Sequence, residues 1–369
     1  MYLTKQLKVG TVFSGIGSFE WALKRLNIPH SIVFACDNGD VVLDNIDYSE
    51  AIKQVKKANN VEEMKKVEEN LYSKEKRTNF VEKSYKANFE IAPSNFHYDV
   101  KLLDGNKYKD KIDIFVGGSP CQSFSMMGYQ RGLEDARGTL FYEYARLVKE
   151  INPKVFIYEN VQGLLKHDHG KTWKVINGIF DSLGYFYHYD ILNSKDYGIP
   201  QNRNRLFVVG FKEEDCLNRF EFPQPKQLNY KMQDFLIENC DEGYFSYENL
   251  KSHPGIVDKK YFLSEKVKLH VMSKGTKNYV TNPKTDLEIA RPLLATMHKM
   301  HRAGVDNYVT INGNLRRLTP RECLRLMGFG DGFKQVVSDT QMYKQAGNSI
   351  VSDIFVNLIP NIIKTQVFG

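Results

Sequence analysis

Apolar residues recur in two rhythms over the first 211 residues of this chain. Strand-length apolar runs fall at 9–13, 31–36, 112–116, 155–159, 185–192 and 206–211. Between them lie stretches of helical spacing at 19–26, 140–151 and 172–183. In the middle one, Leu140, Tyr144, Leu147, Val148 and Ile151 share one face of a 3.6-residue period. Strands that alternate with helices imply crossover units, and so an α/β fold around a mostly parallel, three-layer sheet.

Two segments break the rhythm. Residues 41–86 carry ten Lys/Arg and nine Asp/Glu, and Glu62, Glu63, Lys65, Lys66, Glu68 and Glu69 alternate in sign within helical reach. This reads as an inserted helix or helix pair with a solvated face, standing on the surface. After Phe211 the pattern dissolves into a tyrosine- and lysine-rich region punctuated by Pro223, Pro225, Pro254, Pro283 and Pro292, which suggests a smaller, irregular β-rich domain. Helical spacing returns at 353–364 through Ile354, Phe355, Leu358 and Ile362.

Composition narrows the class. With 42% hydrophobic and 26% charged residues, the chain reads as a soluble globular protein. No run looks long enough for a membrane span, and MYLTKQLKVG lacks a signal-peptide core, so a cytoplasmic protein without a membrane partner is expected. Five widely spaced cysteines with no CxxC pair argue against both a disulfide framework and a metal site. The formal charge is +7, and residues 251–316 hold 12 Lys/Arg against 5 Asp/Glu, so the whole excess lies there. A polyanionic partner would suit that bias, although a lysine-rich solvated surface gives the same count.

Candidate chemistry sits at strand ends. Gly15 and Gly17 form a turn between the first strand and its helix, as a ligand-approached loop or a plain junction would. Asp37 ends the second strand twenty residues after Gly17, where it could hold ribose hydroxyls or cap a helix. Cys121 follows Pro120 and a strand ending in two glycines, and a long polar loop follows it. Glu159 and Asn160 terminate the next strand, offering an acid beside that thiol or merely a cap. Gln201, Arg203 and Arg205 alternate before an apolar strand, on a face that could read a base edge or phosphate, or simply meet solvent.

In this order the motifs resemble the cytosine-5 DNA methyltransferase family of bacterial restriction–modification type. They are Phe13-Ser14-Gly15-Ile16-Gly17, Pro120 to Ser125, Arg137 to Phe141, Glu159-Asn160-Val161, Gln201 to Arg205, Arg316 to Glu322, and Gly347-Asn348-Ser349. The resemblance implies a Rossmann-like S-adenosylmethionine-dependent fold. A target cytosine would be flipped out of duplex DNA, and the Cys121 thiolate would add to ring position 6. Position 5 would then attack the methyl group of S-adenosyl-L-methionine. Glu159 would bind and protonate ring nitrogen 3, while Arg205, with Arg203, would hold the base and adjacent phosphate. Phe13, Gly15, Gly17, Asp37, Asp99, Val100, Leu140 and Asn348 would contact the cofactor.

The same resemblance divides the chain into a catalytic domain of 1–215 plus 334–369, carrying the 41–86 insertion, and a target-recognition domain of 216–333. It implies double-stranded DNA as partner, a monomer, and room for a cognate restriction endonuclease encoded nearby, with no direct contact. Three points depart from the family pattern. Asp37 stands where Glu is usual, Asn38 where an aromatic often follows, and Tyr85, Asn88 and Phe89 arrive only after the insertion. The alternatives are a tRNA cytosine-5 methyltransferase, whose Cys-Phe-Thr element is not found, and an inactive DNA-binding regulator on the same scaffold, against which Cys121 and Glu159 are retained.

Overall fold

The computed structural model describes residues 5–43, 46–120, 140–238, 255–276 and 279–369. The chain forms two compact units: Met1–Leu192 with Asn204–Pro223 and Leu358–Gly369, and Asn193–Arg203 with Gln224–Asn357. This division differs from the expected one. Asn193–Arg203 belongs to the second unit because its backbone and side chains bond there, and only the last twelve residues return to the first. Arg219 donates to the carbonyl of Thr365, and Asn361 to that of Glu221, tying that return in place.

In the first unit seven strands make one sheet: β1 (Leu7–Val12), β2 (His30–Cys36), β3 (Phe96–His97), β4 (Ile114–Gly117), β5 (Val155–Val161), β6 (Phe186–Asn193) and β7 (Asn204–Phe211). Their order is β3-β2-β1-β4-β5-β7-β6. The pairs β1/β2, β1/β4, β2/β3 and β4/β5 are parallel, and β5/β7 is antiparallel. Helices α1 (Ser18–Arg25), α5 (Leu140–Ile151) and α6 (Lys171–Ser182) are the crossovers the periodicity implied. Along α5, Phe141, Tyr144, Leu147, Val148 and Ile151 are all buried, because a strand buried on both faces needs an apolar helix face over it. Phe115 stacks on Tyr144, and Phe156 on Phe180, filling the layer between sheet and helices.

The insertion departs most from expectation. It forms three helices, α2 (Tyr48–Lys57), α3 (Val61–Tyr72) and α4 (Phe80–Asn88). Each starts on an Asx cap: Asp47, Asn60 and Asn79 accept from first-turn amides. Yet the helices do not merely stand on the surface. Ala51, Val55 and Met64 join the main core, and Lys65 and Glu68 are themselves buried. Of the alternating charges on α3, Glu62, Lys66 and Glu69 face outward, but Lys65 and Glu68 do not. The inner face of α3 runs through Met64, Lys65 and Glu68 at helical spacing.

Strands in the second unit are confined, among the described residues, to two two-stranded ribbons, Gly275–Thr276 with Tyr279–Val280 and Tyr308–Ile311 with Asn314–Arg317. The latter turns at Asn312-Gly313, both at positive φ, as a tight hairpin requires. Arg316 anchors this unit: its buried guanidinium binds both carboxylate oxygens of Glu322, which also caps the helix Pro320–Arg325. Contrary to the reading of the sequence, the stretch Asp339–Lys364 is long and apolar enough by composition to cross a membrane. It is broken between residues 348 and 352, and Ile354, Phe355, Leu358 and Ile362 are fully buried in the fold.

Candidate active site

The neighbouring tips of β1, β2 and β3 build one half of the site. After β1 the backbone enters the left-handed region at Phe13 (φ 53°), Gly15 (φ 53°) and Gly17 (φ 80°). A Cβ on Gly17 would collide with the ring of Phe89, so the aromatic that follows α4 packs directly beneath the loop. On Gly15 a Cβ meets no atom of the described residues within 4 Å, so among them that side of the loop is open to a ligand. Ser14 ties the loop to β2 through the Cys36 amide (3.0 Å). Asp37 finishes the connection, one carboxylate oxygen accepting from Gly15 N (2.9 Å) and the other from Gly39 N (2.8 Å). Burial pushes the Asp37 carboxyl above its usual range, with the two amides pulling the other way.

Asp99 follows β3. Its carboxylate accepts from the Tyr48 hydroxyl (2.7 Å) and from Lys101 N (2.9 Å), and burial raises its pKa. Val100 is a core residue whose carbonyl accepts from Arg146 (2.9 Å). Leu140 is half-buried at the start of α5 and packs against the same core. An open glycine loop, a buried acid one strand away and a second acid on the next strand form a donor and acceptor set that fits an adenosine-bearing ligand. Asn348 ends the helix Asp339–Asn348 in the second unit, exposed.

The tips of β4, β5 and β7 build the other half. Cys121 lies outside the described residues, but its root does not. The carbonyl of Ser119 accepts from Asn160 Nδ2 (2.9 Å), and the Ser119 and Tyr158 hydroxyls share a hydrogen bond (2.8 Å). Asn160 Nδ2 also donates to the Tyr158 hydroxyl (2.8 Å), so three side chains fix the chain two residues before the thiol. A Cβ on Gly118 would lie 2.7 Å from Glu159 Oε2, so only glycine lets the β4 tip approach this carboxylate. Arg205 Nε stands 3.0 Å from Glu159 Oε1, a charge-assisted contact that orients the acid.

Arg203 departs from its expected role. Its buried guanidinium donates to the carbonyls of Leu293 (2.8 Å), Gly347 (2.9 Å) and Ser349 (3.0 Å), all within the second unit. Gln201 is likewise buried, bonded to Leu326 O (2.7 Å) and Leu293 N (3.0 Å). Of the alternating trio, Arg205 is the one that meets the acid in a 3.0 Å ion pair. The described thiols are also poor nucleophiles: burial raises Cys36 and Cys323 well above the usual range and Cys216 above it.

Sequence reading gave no supporting role to the residues that brace both halves. Tyr158, Ser119 and Asn160 brace the root of the thiol loop, and Glu68 accepts the amides of Tyr98 (2.6 Å) and Asp99 (3.0 Å). The available signal was two charged residues, Lys65 and Glu68, on the same helical face as Met64.

Comparison with known proteins gives the family. A family model described as C-5 cytosine-specific DNA methylase matches residues 61–364. The type II methyltransferase M.HhaI of Haemophilus parahaemolyticus is 33% identical over 283 residues, covering 77% of this chain and 84% of that one. M.SsoII of Shigella sonnei is 35% identical over 289 residues, covering 78% and 72%. The crystal structure of the S. pombe Dnmt2 methyltransferase shares the fold, with a TM-score of 0.63 at 18% identity over 98% of this chain and 99% of that one. With strand-tip acids and glycine loop in the order of its motifs, and the family model spanning most of its length, the chain belongs to the C-5 cytosine-specific DNA methylases, enzymes that methylate carbon 5 of cytosine in DNA.

Proposed function

We propose that the chain methylates a flipped cytosine within a short duplex sequence, with Cys121 as nucleophile and Glu159 as the acid at ring nitrogen 3. The observation that carries this reading is Glu159 held by Arg205 against Gly118, three residues before the thiol. Attack of the Cys121 thiolate at position 6 moves the ring electrons toward position 5, and a proton from Glu159 at nitrogen 3 disperses the developing charge. Loss of the position-5 proton and expulsion of the thiolate, with the nitrogen-3 proton returning to Glu159, restore the aromatic ring. S-adenosylmethionine, the methyl donor general to this family and fold, supplies an electrophilic methyl on a sulfonium. Phe13, Gly15 and Gly17 would take its amino-acid part and Asp37 its ribose hydroxyls, with Asp99, Val100 and Leu140 beside them, and the family motif assigns Asn348 to the cofactor as well.

The second unit carries the local charge excess, and we assign target recognition to it. Lysines there would add sequence-independent affinity, and side chains reading base edges would add roughly 1–3 kcal/mol of discrimination per pair. The same reading makes the enzyme a cytoplasmic monomer of a restriction–modification system, with a cognate endonuclease encoded nearby. The test uses a duplex carrying 5-fluorocytosine at the target position, which bisulfite sequencing of DNA from expressing cells first locates. Wild-type enzyme with cofactor should form a denaturant-stable adduct and Cys121→Ser none. An adduct of equal yield with Cys121→Ser removes Cys121 from the mechanism.

A further inference from the structure

The strand that delivers Asp99 is too short to hold it. β3 has two residues, lies at the edge of the sheet, and pairs only as Ala35 with Phe96 and Cys36 with His97. Backbone beyond a two-residue edge strand has no ladder to fix it. The chain holds it from the other side, with the insertion.

Glu68 is the grip. One carboxylate oxygen accepts the successive amides of Tyr98 (2.6 Å) and Asp99 (3.0 Å), which sets the peptide plane between them. The other oxygen takes Lys65 Nζ (2.9 Å) and lies 3.6 Å from His97 Nδ1. Lys65 in turn sits 3.4 Å from the centre of the Tyr98 ring. From α2, the Tyr48 hydroxyl donates to Asp99 Oδ2 at 2.7 Å and turns the carboxylate. A buried ion pair is a poor source of stability, since apolar residues of similar volume usually serve as well or better. Keeping Lys65 and Glu68 beside Met64, on a face that could have been wholly apolar, is explained by what Glu68 holds.

We propose that the inserted helices are a working part of the cofactor site, Glu68 fixing the backbone of Tyr98 and Asp99 and Tyr48 orienting the Asp99 carboxylate. Both are positioning residues, and the proposal rests on the reading of Asp99 as a cofactor contact.

The test is calorimetric binding of S-adenosylhomocysteine to the purified full-length protein, beside DNA binding by anisotropy and a thermal melt. Asp99→Asn should weaken binding of the cofactor product about tenfold, the scale of one lost charged hydrogen bond. Glu68→Gln should weaken it by about the same factor, and Tyr48→Phe, which keeps the ring, by about threefold. In turnover the loss should fall on the KM for S-adenosylmethionine more than on kcat, with DNA affinity retained. If Asp99→Asn weakens binding while a folded Glu68→Gln and Tyr48→Phe bind like wild type, the insertion has no positioning role and the proposal is overturned. If Asp99→Asn itself binds like wild type, the reading of Asp99 fails and the proposal falls with it. Should Glu68→Gln not fold, Tyr48→Phe decides alone, because it removes one hydroxyl from a half-buried ring.

Discussion

Glu159 and Arg205 meet diagonally across an antiparallel strand pair, Glu159 opposite Phe207 and Arg205 opposite Val161, with 3.0 Å between Oε1 and Nε. Two strand ends are thereby committed to one carboxylate. Glu159→Gln keeps a hydrogen-bonding group but cannot supply a proton. Single-turnover methylation should fall by roughly a hundredfold or more, with base binding less affected. Arg205→Lys should give an intermediate loss, because a point charge replaces a directional fork. Equal single-turnover rates for Glu159→Gln and wild type would contradict the role given to the acid.

Gly118→Ala isolates the approach of β4 to that acid. The new methyl would lie 2.7 Å from Glu159 Oε2 and 3.1 Å from its carbonyl oxygen, so the carboxylate must move. The expected result is a folded protein with a cost of about 1–3 kcal/mol in the urea midpoint and a larger drop in kcat than in DNA affinity. Unchanged kcat would show that the position of the carboxylate is not critical.

Arg203 separates a structural from a phosphate-binding role. Arg203→Met leaves three carbonyls short of a donor, and stability should fall by at least about 3 kcal/mol, read from urea denaturation. At temperatures where the variant stays folded, the slope of log affinity for DNA against log salt should not change. A loss of about one unit of slope would instead identify a phosphate contact.

Acid should expose the grip on β3. Burial favours the neutral form of Glu68, but His97 and Lys65 override it and hold the carboxyl down at about 2, against 4.5 unperturbed. Its folded-state pKa is depressed, so its contribution to stability is complete above about pH 4.5 and is lost as pH falls toward 2. Urea midpoints of wild type and Glu68→Gln should therefore converge as pH falls from about 4.5 toward 2. A constant gap across that range would assign the loss to packing.

Deleting the insertion, by joining residue 40 to residue 83 through a short linker, should give an insoluble or unfolded chain. Ala51, Val55 and Met64 would leave the core together, at roughly 2–5 kcal/mol for each large side chain lost. A soluble, cooperatively melting product would show that these contacts are dispensable.

Apolar periodicity made six of the seven strands and the crossover helices legible, because elements buried on one or both faces must repeat at their own period. β3 escaped because two residues carry no period. The inner face of α3 escaped because Lys65 and Glu68 read as solvated charges, and only their partners, the Tyr98 ring and two amides, show otherwise. Strand ends carrying Asp37 and Glu159 stood out, as acids terminating apolar runs do. Arg203 and Arg205 could not be told apart, since alternation fixes a face and not what lies against it.

The pairing of Ala35 with Phe96 joins chain positions about sixty residues apart, across the whole insertion. Closing a flexible loop of that length costs conformational entropy that grows with the logarithm of its length. Three short helices that cap themselves, two of which, α2 and α3, pack on one another, make contacts at close range that shorten the gap between the two ends. The folding order expected from these contacts is that the inserted helices form before β3 docks on β2, with S-adenosylhomocysteine binding recovered after that docking. Stopped-flow refolding should accordingly show helical signal recovering before S-adenosylhomocysteine binding, with Glu68→Gln delaying only the second.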